Sequence, residues 1–516
     1  MKNKTRFFYN GILLSVTGLA MRGVGIALGA YISRTVGAEG VGLNTLVMNV
    51  YSFALTFATA GISLTVTAKI AAAVGSSGGT ERSRILRGAF LYALIFSLAG
   101  SLLLAMLSGA LARGVLGDAR AAFSLRVLSM SLVPAALSAV ISGYFIGKKR
   151  AAANALISIT GQLARIGLTI FLLRRLTDRG AYSAVNALCL GVTLTECAVF
   201  VVAFVELLLD RAREERAERG GSSFSSVAAM ALPLALSAYI RSALITLEHS
   251  LIPGRLRLHG ENSSEALASY GYLHGMALPM LLYPMVPLSS FGSLLLPELA
   301  EAKAVGAEER MRSIASRALE TTLAYSAVSA CMLFAFSEEL GYVVYGSYSA
   351  GAYIAVLAPV VPIMYLDHVT DNMLKGIGEQ VYSMWVNIAD AILSVVLVFV
   401  LLPIFGIFGY ALVIVGMEAF NFTLSAMRLK KRISFSIGLG RSLILPACIT
   451  IVSSMLSREL FGVGGKDSGP FLLICKIVFS VCLVIAVLAL VRLLPNAKDH
   501  KTVSKTTISA KPRSNE

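Results

Sequence analysis

Three arginines, Arg22, Arg165 and Arg241, lie well inside long aliphatic runs. A charged side chain at mid-bilayer depth costs at least about 2.5–3.5 kcal/mol, so each should face a wet cavity or a partner. A guanidinium presents a planar fork that grips phosphate oxygens two at a time. The chemistry on offer is recognition of an anion inside a membrane, or else a structural ion pair with Glu196, Asp390 or Glu418. Asp367 and Asp371 stand i,i+4 on one helical face with His368 adjacent. They could bind a coupling cation or relay a proton, or form a polar helix end that pairs with Lys375. Glu248 and His249, two turns beyond Arg241, offer the same choice. Lys69 and Arg126 lie nearer the ends of apolar runs, where long side chains reach the interface.

Nothing in the chain builds a covalent or ATP-dependent catalyst. Gly143–Lys149 (GYFIGKK) is one residue short of a phosphate-binding P-loop and lacks the following Ser or Thr. The five histidines (249, 259, 274, 368, 500) show no metal-binding spacing. No enzyme activity, metal or cofactor is expected.

The elements that must position these charges are membrane spans. The chain has 516 residues, 56% hydrophobic and 14% charged, with a mean hydropathy of +0.75. Soluble domains carry about 25% charged residues, so this is an all-α polytopic membrane protein. The net charge of +16 is dispersed between apolar runs, a pattern that reports orientation rather than nucleic-acid binding. The N-terminal apolar run continues to about residue 32, too long for a signal peptide, and reads as a first span. The six cysteines (189, 197, 331, 448, 475, 482) lie in apolar runs without CxxC spacing and read as buried and inert.

About fourteen spans follow, near 8–33, 42–72, 88–112, 123–147, 152–175, 181–209, 224–252, 269–299, 314–337, 351–374, 381–402, 407–428, 441–461 and 470–494. Pro279, Pro284 and Pro287 should bend the eighth. Lys and Arg cluster in the loops that share a side with the N-terminus, which places both termini in the cytoplasm; the Arg174–Arg179 cluster runs against this. Asp210–Gly221 (DRAREERAERGG) is the most polar internal segment. The expected units are residues 1–209 (six spans), a cytoplasmic linker at 210–222, 223–436 (six spans), 437–495 (two spans) and a disordered tail at 496–516.

The two halves are alike. Gly143–Leu173 and Met373–Leu402 each run from a Gly-containing polar turn into a helix with a few polar residues, and each follows a Pro-bearing helix. Arg22 and Arg241 sit at similar depth in the first helix of each half. Such repeats build many transporters around a site near the midplane. The stretches AMRGVGIALGAYISRTVGAEGVGL (20–43), GYFIGKKR (143–150), GMALPMLLYPMVPLSSFGSLLLPELAEA (275–302) and MLKGIGEQ (373–380) resemble the stage V sporulation protein B group. That group is a polysaccharide-flippase-like branch of the MOP superfamily, which also holds the MurJ lipid II flippases and the MATE drug exporters. The resemblance covers about residues 5–495 and implies two six-helix lobes plus two C-terminal helices, a central cavity and alternating access. In MurJ-like relatives the cavity is cationic, with an arginine where Arg22 stands; their second arginine is replaced here by apolar positions around Leu28. Gln162 and Arg165 resemble the Gln-x-x-Arg of the sporulation branch, with Gly161 where an acid commonly stands.

The resemblance implies a flippase that carries an undecaprenyl-pyrophosphate-linked precursor, lipid II or a polysaccharide unit, to the outer leaflet of the cell membrane, as in spore-cortex peptidoglycan synthesis. The substrate residues would be Arg22, Arg165, Arg241 and Gln162; the ion-coupling candidates are Asp367, Asp371, Glu248 and His249. The partners are then a polyprenyl-pyrophosphate-linked saccharide, membrane lipids with the tail beside the last two helices, and a cation or proton. A cation-coupled exporter of small drugs and a non-transporting envelope scaffold are the alternatives.

Overall fold

The computed structural model describes residues 2–76, 79–148, 150–176, 181–212, 223–462 and 469–493, with no side chain before Gly23. The 213–222 stretch of the linker, the tail and the side chain of Arg22 therefore lie outside the described residues. Every described element is a helix. In order they are α1 (Lys2–Thr59), α2 (Ile62–Ser76), α3 (Gly79–Gly114), α4 (Ala121–Ser129), α5 (Leu132–Gly147), α6 (Ala151–Leu176), α7 (Ala181–Ala212), α8 (Phe224–His259) and α9 (Ser263–Tyr270). There follow α10 (Leu278–Leu282), α11 (Val286–Ala304), α12 (Glu308–Ala335), α13 (Ser337–Tyr345), α14 (Tyr348–Leu357), α15 (Val361–Gly376), α16 (Gln380–Arg432), α17 (Leu445–Phe461) and α18 (Pro470–Leu493).

Ten of these stretches are long and apolar enough to cross a membrane, and two bent pairs, α4–α5 and the two parts of α8, bring the number to twelve. Two of the twelve are long runs broken at a glycine. α1 has 58 residues and α16 has 53, or about 87 and 80 Å at ~1.5 Å per residue, against a hydrocarbon core of ~30 Å. Each is divided by a glycine in a non-helical conformation, Gly37 at φ 75° and Gly406 at φ 59°, which side-chain-bearing residues rarely adopt. Counting each as two gives fourteen crossings, as expected. Met106, Leu102, Phe408 and Phe471 are largely exposed on the outer surface, where a soluble protein would rarely group them and lipid would cover them.

Several boundaries differ from the sequence expectation. The second span is broken at Gly61, between α1 and α2. α13 fills what the sequence marks as a loop. α8 bends by 49° between Pro233 and Ala238. The eighth span is the most irregular. It runs from α9 through a π-helical turn (Gly271–Ala277), α10 and a 3-10 turn (Tyr283–Met285) into α11. Pro279, Pro284 and Pro287 remove three successive backbone donors there. Tyr365 and Tyr325 donate to the carbonyls of Leu281 and Pro284, each at 2.6 Å, supplying partners that a regular helix would have provided. Of the cysteines expected to be buried, only Cys189 is fully so, and Cys197, Cys448 and Cys482 face outward.

The two motif turns that looked alike in sequence have matching roles with opposite charge. In the first, Lys148 Nζ lies 2.7 Å from buried Asp210 at the end of α7, and Arg150 pairs with the same carboxylate. In the second, Glu379 lies 2.8 Å from Arg428 and 2.6 Å from Arg432 at the end of α16. The Arg428 hydrogen bond, with Arg432 beside it, holds the Glu379 carboxyl below the usual range. A Cβ on Gly147 would meet the Thr67 carbonyl of α2 at 2.8 Å, and one on Gly376 the Leu296 carbonyl of α11 at 2.9 Å. GYFIGKKR and MLKGIGEQ thus tie helix ends together, and the basic cluster of the first is a clamp.

At the end of the bundle that carries Gly37, the first and second halves of the chain are in contact. Arg34 on α1 donates to the carbonyls of Val344 (3.1 Å), Tyr342 and Val343 at the C-terminus of α13. Ser264 donates to Glu39 at 2.7 Å. A Cβ on Gly42 would lie 2.0 Å from the Leu267 carbonyl. α13 is also held by α17 and α18: Glu339 lies 3.2 Å from Lys476, which is fully buried, and 3.7 Å from Arg458. Burying that lysine is tolerable only because the carboxylate accompanies it.

Candidate functional site

Arg165 and Gln162 lie one turn apart on α6 and line a cavity of about 320 Å³ between α6, α1 and α7. Gly25 and Leu28 of α1, with Asn44 and Met48 further along it, complete much of the wall. Arg165 is exposed to this space, and Glu196 of α7 faces it without a direct ion pair. Leu28, where the resemblance pointed to a missing second arginine, is a cavity-wall position.

Arg241 lies elsewhere. It is exposed on α8 and faces Asp390 of α16; it does not line the Arg165 cavity. Arg165 thus faces the cavity and Arg241 faces Asp390. Asp390 belongs to a carboxylate group of its own. Asp367 of α15 faces it, and Glu418 of α16 faces both. One oxygen each of Asp367 and Asp390 is buried with no hydrogen-bond partner among the described residues. Asp371, whose alternatives were a role with Asp367 or a pairing with Lys375, lies 2.5 Å from Lys375 and accepts from Ser383. No trio of His, Cys, Asp or Glu among the described residues is placed to hold a metal ion.

Glu248 and His249 point into a buried polar network that the sequence did not disclose. Ser394 of α16 donates to Glu248 Oε1 at 2.7 Å, and the Tyr410 hydroxyl donates to the same oxygen at 3.4 Å. Tyr410 Oη is also 2.6 Å from His274 Nε2. The His274 ring meets that of His249 edge-on, centroids 4.4 Å apart. His249 Nδ1 is 3.0 Å from Tyr270 Oη, which accepts from Asn49 of α1 at 3.0 Å. The π-helical turn that follows α9 carries His274, and such turns frequently mark functional sites. Glu248 and His249 were legible in the sequence; for His274 the only signal was a histidine inside an apolar span.

Two features decide what kind of protein this is: the fourteen-span bundle with matched clamps, and a match over residues 7–303 to the family described as "Polysaccharide biosynthesis protein". The chain belongs to that family. Residues 258–400 also match the MatE family. Among curated proteins, the chain is 25% identical over 469 residues to "Stage V sporulation protein B" of Bacillus subtilis (strain 168), covering 89% of this chain and 90% of that protein. Among solved structures it resembles the lipid II flippase MurJ in an inward closed conformation, with TM-score 0.69 at 12% identity, over 92% of this chain and 97% of that one. It also resembles an inward-facing MATE multidrug-resistance transporter, with TM-score 0.65 at 17% identity, over 80% and 95% of the two chains. The fold is that of the MOP superfamily, a multi-pass membrane architecture, as the sequence motifs implied.

Proposed function

We propose that the chain is a flippase that carries a polyprenyl-pyrophosphate-linked saccharide, a peptidoglycan or polysaccharide precursor, from the cytoplasmic to the outer leaflet. The observation that carries this reading is the cavity holding Arg165 and Gln162, in which the guanidinium makes no ion pair among the described residues. A pyrophosphate can accept two-point hydrogen bonds from such a fork. The family match and the likeness to proteins named as a sporulation protein and a lipid II flippase support the same substrate class.

The units would be two six-helix lobes, 1–209 and 223–436, joined by the 210–222 linker, with α17 and α18 appended. Both termini would lie in the cytoplasm. With that orientation, the contacts at the Gly37 end would form the outer gate. A cysteine at Ser347 should be labelled only from outside and one at Gly220 only from the cytoplasm; labelling of both from one side would refute the topology.

The MATE-like reading, a cation-coupled drug exporter, draws on a specific observation: Asp367, Asp390 and Glu418 form a group of acids beside Arg241. Native mass spectrometry of the purified protein separates the two readings. A co-purifying pyrophosphate-linked polyprenol is the expected result. Its absence, with saturable binding of a lipophilic cation, would favour the exporter.

A further inference from the structure

We propose that Glu248, Tyr410 and His274 form a proton-binding relay, and that the coupling ion of the transport cycle is a proton carried there. The proposal rests on the transporter reading and names the coupling ion. The geometry is a continuous line, Glu248 Oε1 to Tyr410 Oη at 3.4 Å and Tyr410 Oη to His274 Nε2 at 2.6 Å, buried where α8, α16 and the π-helical turn meet.

The atoms balance as follows. Without the proton, Glu248 is a carboxylate that accepts from Ser394 and Tyr410, while His274 donates its Nε2–H to Tyr410. An arriving proton adds to His274 Nδ1. The Nε2–H bond then breaks, Tyr410 takes that proton on its oxygen and passes its own to Glu248, where a new O–H bond forms. Tyr410 ends with one hydrogen, His274 is neutral with its proton on Nδ1, and Glu248 is a neutral acid. The group's charge rises from −1 to zero. A lone carboxylate is costly to keep dry, whereas the neutral acid keeps its hydrogen bonds to Ser394 and Tyr410 without that cost. Proton loss should therefore favour a conformation that admits water, and proton uptake should favour closure.

Asp390 faces Glu248 and, with Asp367 and Glu418, is a second set of acids that can take up protons. From its own helix Glu248 has His249, with Arg241 two turns back facing Asp390. α16 contributes Tyr410 and Asp390, and α9 contributes Tyr270. α1 contributes the uncharged Asn49. α3 faces this part of α8 with Leu104, Leu107 and Leu111, and α2 meets α8 through Lys69 and Ser226, about six turns away. Around the π-helical turn, α14 brings Tyr353 against Tyr272. Asn49 and Tyr270 also link the relay to α1, so its protonation is felt where the two halves of the chain meet.

The test uses the full chain in nanodiscs with its six native cysteines replaced and Leu267→Cys, a buried position against Gly42, as a reporter of the closed end. A membrane-impermeant maleimide is applied between about pH 5 and about pH 9. In the otherwise unsubstituted protein, the ratio of labelled to unlabelled states should change by up to about tenfold per pH unit, the slope of one proton. Glu248→Gln should be flat and resemble the low-pH state. Tyr410→Phe should flatten the profile while leaving both ends of the relay in place. Asp390→Asn, which should keep the pH profile, separates the second set of acids from the relay. Size-exclusion behaviour and thermal melting show whether each variant is folded. Two folded variants with an unaltered pH profile would overturn the proposal. So would an unsubstituted protein that is flat with pH but responds to Na+. No lipid substrate enters the assay, so failure here leaves the flippase reading standing, and failure to find a pyrophosphate lipid leaves the relay testable.

Discussion

Replacing Arg165 by alanine should abolish transport in a reconstituted flipping or complementation assay, with the protein still inserted and folded. The guanidinium reaches an open cavity and buries no ion pair, so its loss costs the fold little. What is lost is the anion grip. Two charge-assisted hydrogen bonds, at about 1.5–3 kcal/mol each, correspond to a loss of at least about a hundredfold in affinity for a bound pyrophosphate. Arg165→Lys should recover little, because an ammonium cannot reproduce the two-point fork. The facing acid supplies the control. If Arg165 served only to balance Glu196, Glu196→Gln would be equally damaging. If it serves the substrate, Glu196→Gln should retain transport. Wild-type activity in a well-inserted Arg165→Ala would end the cationic-cavity mechanism.

The second large effect should come from a residue with no polar chemistry. Gly271→Val should hold the Gly37 end open and stop the cycle. A Cβ at Gly271 would lie 2.1 Å from the Ala38 carbonyl and 2.8 Å from the Gly42 nitrogen. Both are backbone atoms, so no side-chain rotation relieves the overlap, and α1 must move away from α9 and the π-helical turn. Overpacking of this kind costs about 1–3 kcal/mol, all of it charged to the closed state. That shifts the open-to-closed ratio by about fivefold to over a hundredfold, and a transporter confined to one state does not turn over. Maleimide labelling of Leu267→Cys, buried at the closed end, should rise accordingly, with transport falling in parallel. Normal labelling and normal transport would show that the close approach of α1 and α9 is not the gate.

Much of this architecture was legible in the sequence because membranes impose local rules. Every backbone donor in hydrocarbon must be satisfied within its own segment, so a span announces itself by about twenty apolar residues in a row. The fourteen crossings and the likeness of GYFIGKKR to MLKGIGEQ needed no tertiary information. The clamps at those motifs were half legible: the turns were recognised, their partners Asp210, Arg428 and Arg432 were not. Helix breaks at Gly61 and between Pro233 and Ala238 moved boundaries because proline and glycine act on the backbone without changing hydropathy.

By itself the sequence determined the class, the number of spans and which polar side chains must lie at depth, since each of these depends on residues close together in the chain. The tertiary structure decided which of those side chains meet. Arg165 was separated from Arg241 and placed with Gln162 in a cavity; Asp371 was given to Lys375 and Ser383; Glu248 was joined to Ser394 and Tyr410. His274 acquired a role only when Tyr410, 136 residues away, came within 2.6 Å of it. Asn49 reached Tyr270 across 221 residues. The partner of a buried polar group is chosen by helix packing, and helix packing depends on side-chain shapes along whole faces at once. A linear pattern of hydropathy carries no record of that choice.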